Sequence, residues 1–149
     1  MNTTNDLTKH APRSPRAQLG GYSILARCLD KGRASLAGKA GDYHFDCPLD
    51  HVLFSFKGVT GDQIRKLLTE GKSDQEIVSW LNANGTPKTT EEVTEWSAAF
   101  ESHSPYADPE KKEWFSGECK SLGLNPEKTT LSEMLEADDQ QSFAAHAVH

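Results

Sequence analysis

Val59-Thr60-Gly61-Asp62-Gln63-Ile64 reads as the start of a helix. The Thr60 hydroxyl can accept from the third helical N–H, and Gln63 can reach back to the Thr60 amide. Val59 and Ile64 stand at the positions of a hydrophobic staple. Leu67 and Leu68 continue the apolar face, and Gly71 stops it. The device recurs at Ser73-Asp74-Gln75-Glu76, before Ile77, Trp80 and Leu81, and at Thr89-Thr90-Glu91-Glu92, before Val93, Trp96 and Phe100. A fourth copy, Thr130-Leu131-Ser132-Glu133, leads into Met134 and Leu135. Repeated start signals between short apolar faces, with no sustained alternation of period two, predict an all-α fold.

Outward from these boxes the same logic holds. Pro48 suits the first position of a helix, and Leu49, Val52, Leu53 and Phe56 follow as one apolar stripe ended by Gly58. From Tyr22 to Ala37 the spacing of Ile24, Leu25, Cys28, Leu29 and Leu36 is helical, with Gly32 as a weak point and Asp30–Arg33 as an exposed i, i+3 pair. Asp108-Pro109 reads as another helix start, leading to Phe115, Cys119 and Leu122. The last helix is expected to stop at Asp138-Asp139, because two acids are unfavourable at its negative pole. Phe143 could fold back onto the body. The sum is a single domain of about seven short helices over residues 21–143. An extended arm, residues 1–20, precedes it, and a polar tail, residues 144–149, follows. Trp80 and Trp96 fall on apolar faces, while Trp114 reads as the core's edge.

A chain of 149 residues suits one domain, and 36% apolar residues suffice for one core. The net charge of -6 argues against a nucleic-acid binder, which needs concentrated positive charge. No apolar run approaches the roughly 20 residues of a membrane span. No signal-peptide block opens the chain, so a cytoplasmic location is expected. Three cysteines without a Cys-x-x-Cys spacing predict reduced thiols, with Cys28 and Cys119 in the core.

The densest chemistry lies in His44-Phe45-Asp46-Cys47-Pro48-Leu49-Asp50-His51. Several readings of it are open. Cys47 or Asp46 caps the helix, Asp50 favours its positive end, and the histidines face solvent. Alternatively the segment forms a small-molecule or anion site. A metal is the third reading, but no standard zinc spacing is present and no second ligand pair is evident, so no metal and no cofactor is expected. A helix N-terminus stabilises a thiolate, and His44 or His51 could serve as its base, which makes Cys47, His44 and His51 the catalytic candidates. Asp46 and Asp50 oppose that charge.

Residues 1–50 hold seven Lys and Arg against five acids, and the remainder nine against 17. Arg13, Arg16, Arg27 and Arg33 therefore form a second candidate group. Arg13 and Arg16 lie three apart in a proline-bracketed stretch, and polyproline II geometry puts them on one side. They could clamp a carboxylate or phosphate or strap the arm onto the acidic body. Arg13, Arg16, Tyr43 and His44 are the expected ligand-binding residues.

Pro12-Arg13-Ser14-Pro15-Arg16, Leu19-Gly20-Gly21-Tyr22, Leu29-Asp30-Lys31 with Arg33-Ala34, Leu36-Ala37-Gly38, Tyr43-His44-Phe45 and Cys47-Pro48-Leu49-Asp50 together resemble a family of uncharacterised bacterial proteins, domain-of-unknown-function family 5069. The resemblance covers roughly residues 6–143 and is most specific in the first 60. It implies a small, mostly helical domain and supplies no catalytic residue. The expected function is a binding or accessory domain for an anionic small molecule or a protein partner, with no nucleic acid and no membrane. The alternative is a small-substrate enzyme using Cys47 with a nearby histidine and arginine.

Overall fold

The computed structural model describes residues 6–147, with side chains through residue 143. The first five residues of the arm and the last two of the tail lie outside the described residues. Seven α-helices follow one another: α1 (Leu25–Leu36), α2 (Pro48–Lys57), α3 (Gly61–Thr69), α4 (Asp74–Ala83), α5 (Thr90–Ser102), α6 (Lys112–Ser121) and α7 (Leu131–Ala147). Two single 3₁₀ turns, Pro105–Ala107 and Pro126–Lys128, flank α6. No strand occurs among the described residues; Leu19 and Tyr22 form one isolated bridge. The fold is all-α, as the boxes predict.

All four capping boxes form. Thr60, Ser73, Thr89 and Thr130 each accept from the amide three residues on and donate their own amide to that residue's side chain. Such caps contribute about 1 kcal/mol each. Between the arm and α1 the chain reverses at Gly20-Gly21, where both residues have positive φ. A Cβ on Gly20 would also stand 2.4 Å from Val78 Cγ1, so glycine is required there twice over.

Helix α1 is the hub. Nine of its 12 residues are buried, including Arg27, Asp30 and Lys31. Gly32 does not break it. A Cβ at Gly32 would lie 2.4 Å from Leu68 Cδ1 and 3.0 Å from Phe45 Cδ1, so this glycine is where α3 and the 41–47 loop press closest. The expected Asp30–Arg33 pair is absent. Asp30 is turned inward to Arg13, and Arg33 Nη1 reaches Asp74 Oδ1 at 2.7 Å.

Three other expectations change. Asp108-Pro109 makes a turn, with Asp108 accepting from the Glu110 amide, and α6 starts at Lys112. Helix α7 runs through Asp138-Asp139 to Ala147, because both acids sit mid-helix, away from its negative pole, and Asp139 is neutralised by Arg27. On α2 the buried face is Asp50, Leu53, Phe54 and Lys57 rather than the whole apolar stripe; Val52 is 44% exposed. Of the two buried charges, Asp50 is ion-paired with Lys31, and Lys57 donates to the Thr86 carbonyl at 2.9 Å.

The described residues form two hydrophobic cores. The larger joins α1 to α5 around Leu25, Cys28, Leu29, Leu53, Ile64 and Ile77, with Trp80 and Trp96 against its edge. The smaller joins α6 and α7 through Phe115, Cys119 and Met134. Trp114 stands out from it, 51% exposed.

Candidate functional site

The arm is held by its arginines. Arg13 grips Asp30 through Nε and Nη2, both at 3.0 Å, while its backbone amide donates to the same carboxylate at 2.9 Å. Its Nη1 reaches Asp74 Oδ2 at 3.0 Å. Arg16 pairs with Glu136 on α7, and the Ser14 hydroxyl donates to that same carboxylate at 2.5 Å. Burial alone would raise the Asp74 carboxyl, but hydrogen bonds from Arg13 and Arg33 hold it below its ordinary value. The hydrogen bond from Arg16, against the opposing effect of burial, does the same for Glu136. Arg13 and Arg16 thus serve different carboxylates on different elements.

The 41–47 loop, α1 and α7 line an open cavity of about 490 Å³. Tyr43, His44 and Cys47 line it, as do two cations, Arg27 and Lys31, one helical turn apart on α1, and two carboxylates, Asp42 and Asp138. Arg13, Arg16 and His51 are not among its lining residues. His51 lies on the other side of the α2 start, its Nε2 2.6 Å from Asp46 Oδ1. The eight-residue cluster is therefore divided. Among the described residues no three His, Cys, Asp or Glu side chains stand together as a metal would need.

Each cavity cation has its own carboxylate behind it. Arg27 makes two bonds to Asp139, at 2.8 and 3.1 Å, and Tyr43 donates its hydroxyl to the same carboxylate at 2.8 Å. The Arg27 guanidinium also lies 5.4 Å from the centre of the Tyr43 ring. Burial, reinforced by the hydrogen bond to Asp139, pushes the Tyr43 phenol well above its ordinary value, so it stays a neutral donor. Lys31 Nζ stands 3.0 Å from Asp50 Oδ1 and 3.3 Å from Cys47 Sγ. Asp50, wholly buried, turns its other oxygen to the Asp46 and Cys47 amides at 2.9 and 3.4 Å. Cys47 is the N-cap of α2, and Asp50 closes the helix start behind it. The thiol accepts a hydrogen bond from Lys31.

An ammonium has three donors. Lys31 donates to Cys47 Sγ and is ion-paired with Asp50, and it lines the cavity. Leu7 of the arm, Leu49 of α2, and Leu135 and Phe143 of α7 supply the apolar wall. The sequence held one overlooked signal for Lys31. Arg27 and Lys31 fall at i, i+4 on α1, the spacing of two cations on one face.

The family model described as a domain of unknown function, DUF5069, matches residues 9–141, nearly the whole chain, and the chain belongs to that family. No curated protein matches it. Among the described residues no helix is long and apolar enough to cross a membrane.

Proposed function

We propose that this DUF5069 chain is a small helical binding domain whose ligand is an anionic small molecule held in the cavity between α1, the 41–47 loop and α7. One observation carries the reading: Lys31, a buried ammonium, lines that cavity with the Tyr43, His44 and Cys47 side chains. A carboxylate or phosphate oxygen there gains a charge-assisted hydrogen bond in a low-dielectric site. The apolar wall limits the ligand to a small molecule. The test is thermal denaturation with acetate, malonate or inorganic phosphate, against chloride at equal ionic strength. At least one anion is expected to raise the midpoint, as a ligand that binds only the native state must. The rise should shrink in His44→Ala. No shift beyond the chloride control for any of the three overturns the reading.

The approach of Lys31 Nζ to Cys47 Sγ favours a second reading, an enzyme acting on a small substrate in the same cavity. An adjacent ammonium and a helix N-terminus both stabilise a thiolate nucleophile. On this reading Cys47 alkylates faster than free cysteine near neutral pH, and Lys31→Met slows it. Labelling slower than free cysteine removes the reading. Cys28 and Cys119 do not confuse the assay. Both are buried, and burial pushes both thiols up, Cys28 far up.

A further inference from the structure

A second open cavity, about 650 Å³, is lined by residues of α2, α5, α6 and α7. Trp96 and Phe100 of α5, their rings stacked 5.6 Å apart, form its aromatic wall. Val52 of α2 and Trp114 of α6 also line it, and they stay 44% and 51% exposed. They are two of the three large apolar side chains left exposed among the described residues. Grouped apolar exposure of this kind marks a surface that something covers. Two lining residues carry a full charge, Glu110 and Lys111, side by side just ahead of α6; His103 is the remaining titratable one. Neither Glu110 nor Lys111 forms an ion pair among the described residues. In the polar cavity, by contrast, Arg27 and Lys31 already have Asp139 and Asp50.

We propose that a second copy of this chain covers the face, in a twofold homodimer. A twofold contact uses one patch twice, so the patch must be complementary to itself. This one is so in shape and in charge. An exposed tryptophan stands beside a hollow that can receive its counterpart. An unpaired acid and an unpaired base stand next to each other, so two copies meeting head to tail at the start of α6 give each charge its opposite. A simple anion or cation answers only one of the two. A small zwitterion answers both, but it leaves the exposed Val52 and Trp114 largely in water. A second protein face covers them, with aromatic side chains at the centre and charges at the rim, as interfaces are built. The inference is independent of the anion site, since Arg27, Lys31, Tyr43 and His44 are not among the residues lining this cavity.

The experiment is sedimentation equilibrium of the full chain over the micromolar range, where twice the chain mass is expected. Trp114→Ser and Val52→Glu alter exposed positions, so both variants should keep the helical circular dichroism spectrum. Each should weaken association by roughly tenfold or more, as loss of a central anchor does. Leu36→Ser, at the third exposed apolar position and outside this cavity, should leave association unchanged. A charge swap tests the pairing itself. Glu110→Lys leaves two cations on the rim and Lys111→Glu leaves two acids, so each variant alone should dimerise more weakly. Mixing the two should restore the dimer. A monomer throughout the range overturns the proposal. So does a monomer that binds anilinonaphthalene sulfonate and loses it in Trp114→Ser, which gives the face to a small ligand. A dimer indifferent to Trp114→Ser and Val52→Glu overturns the assigned face. A dimer that those variants break, but that the charge-swapped mixture fails to restore, overturns the twofold pairing of Glu110 with Lys111.

Discussion

At Arg13 one side chain decides whether the arm belongs to the fold. Its side chain is 37% exposed, yet it answers Asp30, whose side chain is only 4% exposed. Removing one partner of such a pair is costly because the other stays behind as an uncompensated buried charge. The Arg13 amide would still bond Asp30, which softens the loss, so Arg13→Ala should lower stability by about 2–3 kcal/mol. Arg16 and Glu136 are more exposed, and Arg16→Ala should cost under about 1 kcal/mol. Urea denaturation of the two variants measures the difference; equal losses would show that the Asp30 contact carries no special weight. The same pairs set an acid limit. Asp74 and Glu136 titrate below their ordinary values in the folded chain. A depressed carboxylate contributes stability that is complete above its unfolded value, near pH 4, and is lost as pH falls through the folded value. The melting temperature should therefore fall below about pH 4.5, and less steeply in Asp74→Asn. An unchanged slope in that variant would detach Asp74 from the acid transition.

At the scale of elements, the legible parts were those whose physics is local. A capping box is closed within four residues, and all four boxes and the all-α class follow from reading them. Helix α1 is the contrary case. Its period was readable, but its four charges go to four separate elements: Arg27 to α7, Asp30 to the arm, Lys31 to α2 and Arg33 to α4. A spacing rule for neighbouring charges favours Asp30–Arg33, and only tertiary packing replaces that weak exposed pair with two stronger ones. Gly32 shows the same reversal. In an exposed helix, alanine would gain up to about 1 kcal/mol over glycine. Here the added methyl meets Leu68 and the Phe45 ring inside a filled core. Gly32→Ala should therefore destabilise by about 1–2 kcal/mol, the usual cost of overpacking. A stabilised variant, seen as a raised urea midpoint, would mean that α3 and the 41–47 loop yield freely.

Across the whole molecule the candidate site was half legible. Tyr43, His44 and Cys47 lie within five residues of one another, so their convergence could be suggested by reading alone. The walls that make them a cavity come from α1 and from α7, nearly a hundred residues downstream, and no local pattern announces that meeting. The meeting has an energetic consequence. Among the described residues the α6–α7 core has only three buried side chains, against 16 in the larger one. A cluster that small cannot offset its own ordering entropy and depends on its docking to the rest. The buried link in that docking is Asp139, which holds both the Arg27 guanidinium and the Tyr43 hydroxyl. The Leu131 amide, bonded to the His103 carbonyl at 3.0 Å, adds a backbone tie. Asp139→Ala removes the charge that Arg27 needs and loosens the wall of the polar cavity without touching α3, α4 or α5. Amide hydrogen exchange should then speed up at least tenfold across α6 and α7, at denaturant concentrations well below global unfolding, while α3 to α5 keep their protection. Exchange that rises equally in all helices would show instead that the two cores unfold as one cooperative unit.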